Sequence, residues 1–277
     1  MKPQKDGVCH VCGTATALTF EHVPPRSAFN DKPVLYREIE GLLNGSERSS
    51  RKGFVVQKGM GAYTLCSECN NRTGAWYGRS FVEWAYQGMC YLQSGAGNRK
   101  LCLLFHIYPL RVLKQIVCMF CTCNGATWAT DEMRAFVLQK EKRYIPDGWR
   151  VHVYYSPSRQ LRNTGIIARI NTNNSKIDCF SEITFPPFGY VMTRDPDQPP
   201  DDRLVDITFF SEYSYRDWRT VSLNLLSLPV HSSFPGDYRT RTQVQDDIAE
   251  NIRKFDTENC TCHGTENADK QGGRFLE

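Results

Sequence analysis

Apolar positions recur along this chain in two rhythms. Between residue 149 and about residue 187, the runs 151–155, 165–170 and 182–185 mix β-branched and aromatic residues, with turn residues between them. That pattern predicts an antiparallel sheet. Shorter runs of the same kind lie at 54–57 and 62–65, the second leading into Cys66, and sheet-like character returns at 203–210. Helical spacing governs the rest. Trp76, Phe81, Trp84, Ala85 and Met89 fit one face of a helix beginning near Asn71, whose first turns are weakened by Gly74 and Gly78. Val112, Leu113, Ile116, Val117 and Phe120 define a second helix over 110–121; 130–139 predicts a third and 243–255 a short closing one. Apolar character is also high at 223–230. The combination predicts an α+β chain with a mainly antiparallel sheet.

Ser94, Gly95, Ala96, Gly97 and Asn98 form the best linker candidate. It divides the chain into residues 1–93, an α+β region at 99–255, and a polar tail at 256–277. The stretch between Arg26 and Met60 is rich in Gly, Ser, Lys and Arg and predicts a flexible basic loop, either touching a nucleic-acid backbone or simply solvated. Hydrophobic residues make up 40% of the chain, enough for real cores, so wholesale disorder is excluded. The formal charge of +4 permits a nucleic-acid partner without arguing for one. No apolar run approaches the roughly 18–20 residues needed to span a bilayer, and the first residues lack the apolar segment of an export signal. A cytoplasmic protein with no membrane partner is expected.

Twelve cysteines would suit a disulfide-stapled secreted protein, but their spacing changes that picture. Cys9 and Cys12 form one CxxC knuckle, Cys66 and Cys69 a second. Two such knuckles supply four thiolates, which close a tetrahedral Zn²⁺ site and leave no position open for chemistry. Such a zinc is structural. It would also gather His22 and Asn70, which stand 48 positions apart. Cys118, Cys121 and Cys123 lie in an apolar helical stretch and read as core; Cys260, Cys262 and His263 have a metal-like composition in a polar tail, and a second zinc shared between the groups is the competing reading. Trp76, Tyr77, Phe81 and Trp84 read as core-packing aromatics rather than base-stacking ones.

Cys9-x-x-Cys12, Glu21-His22-x-Pro24 and Cys66-x-x-Cys69-Asn70, taken together, resemble the HNH endonuclease family over the first 80 residues or so. The resemblance implies a zinc-stabilised ββα-metal domain that hydrolyses phosphodiester bonds in DNA and leaves a 5′-phosphate. His22 matches the general base, a role suited to a neutral imidazole near pH 7. Glu21 and Asn70 match the ligands of a catalytic Mg²⁺ or Mn²⁺, whose preference for oxygen donors they fit. Arg72, in the turn after Asn70, and more weakly Arg26 are candidates for binding phosphate. Family habit implies a part in restriction or antiviral defence.

The sequence departs from the family pattern at one point. A central asparagine, about five residues before the third cysteine, usually orients the base histidine, and Gly61 stands there instead. The role then falls to a backbone carbonyl, to Asn71, or to nothing. The departure sustains a rival from another class, a non-catalytic zinc module that binds nucleic acid or protein. An RNA nuclease is the third reading.

Overall fold

The computed structural model describes residues 5–36, 54–95, 102–158, 160–171, 176–194 and 203–232, together with Ala249 and Arg253. The cysteines and histidine of the tail, most of the expected linker and most of the expected closing helix lie outside the described residues.

The chain opens with β1 (Lys5–Val8) and β2 (Ala15–His22), antiparallel neighbours joined by the turn that holds the first knuckle. A small separate ribbon follows, β3 (Val34–Tyr36) against β4 (Phe54–Val56). β5 (Gly61–Cys66) then returns beside β2, giving a three-stranded sheet in the order β1–β2–β5. In this sheet His22 pairs with Gly61 and Glu21 with Ala62, and a register shift falls between Thr19 and Phe20. Helix α1 (Ser67–Thr73) starts directly after β5, with the Cys66 sulfur accepting from the Cys69 N–H as its N-terminal cap. The glycines that weaken the helical pattern bracket a single π turn, Gly74–Gly78, before α2 (Arg79–Gln93). Without side chains there, the ladder widens by one residue but does not break.

β6 (Cys102–Ile107) pairs with β12 (Arg219–Asn224), far away in sequence. Helix α3 (Pro109–Asn124) is buried over nearly its whole circumference, its polar Lys114, Gln115 and Thr122 included. Helix α4 (Asp131–Leu138) has Thr130 as its N-cap and Asp131 and Glu132 in its first turn. Its C-terminal end is closed from outside: the wholly buried Lys114 of α3 donates from Nζ to the Phe136 carbonyl at 2.7 Å and the Gln139 carbonyl at 2.6 Å. Desolvation lowers this amine's pKa from 10.5 to about 7.

The large sheet comprises β7 (Trp149–Tyr155), β8 (Arg162–Asn171), β9 (Lys176–Phe185), β10 (Phe188–Arg194) and β11 (Val205–Asp206), in the order β11–β7–β10–β9–β8. The expected strand at 203–210 is limited to β11; Thr208–Glu212 turns into a 3₁₀ helix, with Thr208 N–H capped by Asp206 at 2.7 Å. Beyond β12 the chain crosses the sheet, where the fully buried Glu182 carboxylate clasps it. Glu182 accepts from Tyr154 OH at 2.6 Å, from the backbone N–H groups of His231 and Ser232 at 2.6 and 2.8 Å, and from the Ser232 and Thr184 hydroxyls.

One apolar cluster runs from Val11 of the first knuckle and Leu65 of β5 through α2 and α3 to Val153 and Met192 of the large sheet. Trp84 is typical. Its ring stacks on Phe188 at 4.5 Å and its Nε1–H donates to Tyr190 OH at 2.9 Å. Tyr77, Phe81 and Trp84 are therefore core residues, as their spacing suggests, while Trp76 stays half-buried beneath the Arg72 guanidinium. Among the described residues, no helix is long and apolar enough to cross a membrane.

Candidate functional site

Both knuckles meet at one end of the small sheet. The sulfurs of Cys9, Cys12, Cys66 and Cys69 lie within 4.8 Å of one another, with Cys12 and Cys66 at 3.9 Å. Tetrahedral zinc with ligands at about 2.3 Å needs sulfurs a little under 4 Å apart, so this donor set fits the ion. None of the four is in a disulfide. Two backbone N–H groups point at sulfur, Cys66 N to Cys9 at 3.3 Å and Cys69 N to Cys66 at 3.4 Å. The Cys69 thiol also bonds Cys9, whose pKa falls to about 4, and the same contact pushes Cys69 up. A bound ion would take the place of the thiol protons. This is the single group of described residues able to hold a metal through three or more cysteine, histidine or carboxylate donors. Cys118 and Cys121 are buried in α3 and Cys123 bonds Asn163, in agreement with packing rather than ligation.

The four-cysteine cluster holds β2, β5 and α1 against each other, and this places the motif residues. Asn70 lies on α1 facing β2: its Nδ2 donates to Thr19 Oγ1 at 3.0 Å and to the Phe20 carbonyl at 3.5 Å. Those bonds fix which end of the amide is nitrogen, and they leave Oδ1 without a partner among the described residues. Strand alternation puts Thr19 and Glu21 on the same face of β2. Glu21 is half-buried and its carboxylate has no hydrogen bond or ion pair among the described residues. Burial raises its pKa to about 7. Glu21 thus offers a desolvated, unpartnered carboxylate and Asn70, on α1, an amide oxygen, both of them oxygen donors of the kind a hard cation takes.

His22 ends β2 on the opposite face, its ring edge-on to Phe20 at 4.9 Å. Its Nε2 lies 2.9 Å from the Lys58 carbonyl. A carbonyl only accepts, so Nε2 carries the proton and the lone pair of the neutral ring is on Nδ1. Desolvation lowers the His22 pKa below 6.5 against the opposing pull of the Lys58 carbonyl bond, and the charges of Arg26 and Lys58 add to the lowering. Near pH 7 the ring is neutral, with Nδ1 able to accept a proton. Of the substitutes for the absent central asparagine, the backbone carbonyl is the one present, and Asn71 is exposed without contact to the ring. Gly61 itself is sterically required, since a Cβ there would lie 2.2 Å from the Glu21 carbonyl oxygen.

The two candidate phosphate-binding arginines differ. Arg72 pairs with Glu68 at 2.9 Å and covers Trp76, away from Asn70. Arg26 is exposed beside His22, and its guanidinium has no partner among the described residues. Two features had no signal in the sequence: the Lys58 carbonyl, because any residue has one, and the buried Asn30 that ties Pro24 to Met60. Compared with known proteins, the chain matches no family model, no curated protein and no solved structure.

Proposed function

We propose that this chain is a zinc-stabilised, metal-dependent endonuclease of HNH type that hydrolyses phosphodiester bonds in DNA. The observation that carries the reading is His22, neutral and held through Nε2 with Nδ1 available, at the position in β2 directly after the unpartnered Glu21 carboxylate. Such a pair has little use in a purely structural zinc module, where a half-buried carboxylate without a partner only costs stability.

In this reading Nδ1 of His22 takes the proton from the attacking water, and the Nε2–H bond to Lys58 holds the ring as the imidazolium forms. Arg26 binds a non-bridging phosphate oxygen on the same side. Glu21 and Asn70 Oδ1 would hold the divalent ion, whose positive charge would offset the negative charge that builds on the phosphate oxygens. The cysteine cluster takes no part in the chemistry and acts by fixing α1 on β2. The part in restriction or antiviral defence rests on the family resemblance alone.

The test is incubation of purified protein with supercoiled plasmid and with single- and double-stranded RNA, in Mg²⁺, Mn²⁺ or EDTA. Nicking of plasmid that EDTA abolishes is the expected result. Cleavage of RNA alone would replace DNA as substrate, and DNA binding without cleavage under any metal would favour the non-catalytic module.

A further inference from the structure

The orientation of His22 depends on a carbonyl, and a carbonyl in a loop is only as fixed as the backbone around it. Lys58 is exposed and follows the short strand β4, so its own side chain cannot hold it. The constraint comes from Asn30. Its Nδ2 donates to the Pro24 and Met60 carbonyls, both at 2.7 Å, and its Oδ1 accepts from Met60 N–H at 2.6 Å. The residue is 1% exposed, so water cannot replace these bonds. Two donors and one acceptor on one short planar group are what an asparagine amide offers and what no aliphatic or hydroxyl side chain can supply.

The two anchor points are symmetric about the candidate base. Pro24 is two residues after His22, and Met60 is two residues after Lys58, the ring's acceptor. A further bond from Val23 N–H to the Met60 carbonyl, at 2.9 Å, joins the same two segments. Between Lys58 and Met60 the backbone passes so close to Asn30 that a Cβ on Gly59 would lie 2.4 Å from the Asn30 carbonyl oxygen and 2.5 Å from Oδ1. With φ at +87°, Gly59 occupies a conformation other residues rarely adopt.

We propose that Asn30 is a positioning residue: it clamps the exit of the His22 strand to the segment carrying the Lys58 carbonyl and so fixes the imidazole for proton transfer. The proposal rests on the nuclease reading for its purpose, but the clamp itself can be measured without activity. A ring N–H bonded to a fixed carbonyl exchanges slowly with water and gives an observable proton resonance. In protein labelled with ¹⁵N-histidine, the His22 Nε2–H signal, assigned by its loss in His22→Gln, should be present in wild type at neutral pH. It should vanish in Asn30→Ala, with zinc content and melting behaviour showing the variant folded. If Asn30→Ala does not fold, Asn30→Asp keeps the volume and the acceptor for Met60 N–H but sets an oxygen against both carbonyls, and the same loss is expected. In cleavage, kcat should fall on the order of 100-fold with KM unchanged, the signature of a displaced catalytic group. A His22 N–H signal that persists in a folded Asn30 variant, or that is missing from wild type, overturns the proposal. A signal lost as expected in a protein that cuts nothing would uphold the clamp and reject the nuclease reading.

Discussion

At the residue scale the account depends on one imidazole. His22 is only half-buried, so His22→Ala should leave folding and zinc content intact while removing proton abstraction, a loss of about 10²- to 10⁴-fold in rate. Because desolvation lowers the ring's pKa, the basic form prevails from below pH 6.5 upward. With metal saturating, the cleavage rate should rise with pH to a plateau reached by neutrality; a rate that keeps rising through pH 8 would exclude this ring as the base. Lys114 gives an independent check on the core. Its pKa is about 7 when folded and 10.5 when unfolded, so between those values the unfolded chain binds the extra proton. Stability should therefore increase as pH rises from about 7 towards 10.5, and Lys114→Met should flatten that rise in denaturant titrations while costing about 1–3 kcal/mol for each carbonyl it leaves bare. Asn70 was legible in the sequence because it abuts a knuckle of fixed spacing, and Glu21 and His22 because their motif lies between the two knuckles. Asn30 was not, since a single asparagine within a loop has no period or partner to mark it.

At the element scale, the helices at 110–121 and 130–139 were recognisable because burial imposes their apolar period, and they appear as Pro109–Asn124 and Asp131–Leu138. The strand Phe188–Arg194 was hidden by Pro186-Pro187, which reads as an end of regular structure but forms the two-residue connection of a hairpin with Phe185 opposite Phe188. Cys102–Ile107 was hidden for another reason: its partner lies more than a hundred residues on, and local pattern carries nothing of so distant a pairing. The Glu182 clasp is also non-local. Glu182→Ala would strand the backbone N–H groups of His231 and Ser232 and leave the Tyr154 hydroxyl only Thr184 as a partner. A loss of about 3 kcal/mol or more in equilibrium unfolding is expected, and a loss under 1 kcal/mol would mean that water reaches these groups.

For the whole molecule, the division expected near residues 94–98 meets a core continuous across it. His10, inside the first knuckle, bonds the Thr122 carbonyl of α3 at 2.9 Å, and Tyr77 OH donates to the Val137 carbonyl at 2.8 Å. Zinc bound at the four cysteines would then be coupled to much more than the first 93 residues. Chelation, or Cys9→Ser, should lower the melting temperature of the entire chain in one transition, followed equally by tryptophan fluorescence and far-UV circular dichroism. Two separate transitions, with the second unmoved by chelator, would instead establish autonomous domains. The central claim is that a zinc-fixed frame presents His22 as a base for phosphodiester hydrolysis. Its most direct test is single-turnover nicking of supercoiled plasmid by wild type and His22→Ala, matched in zinc content and both supplied with Mg²⁺ or Mn²⁺. The account predicts metal-dependent nicking by the wild type and at least a hundredfold slower nicking by the variant; equal rates in the two proteins, or no nicking by either at full zinc occupancy, would contradict it.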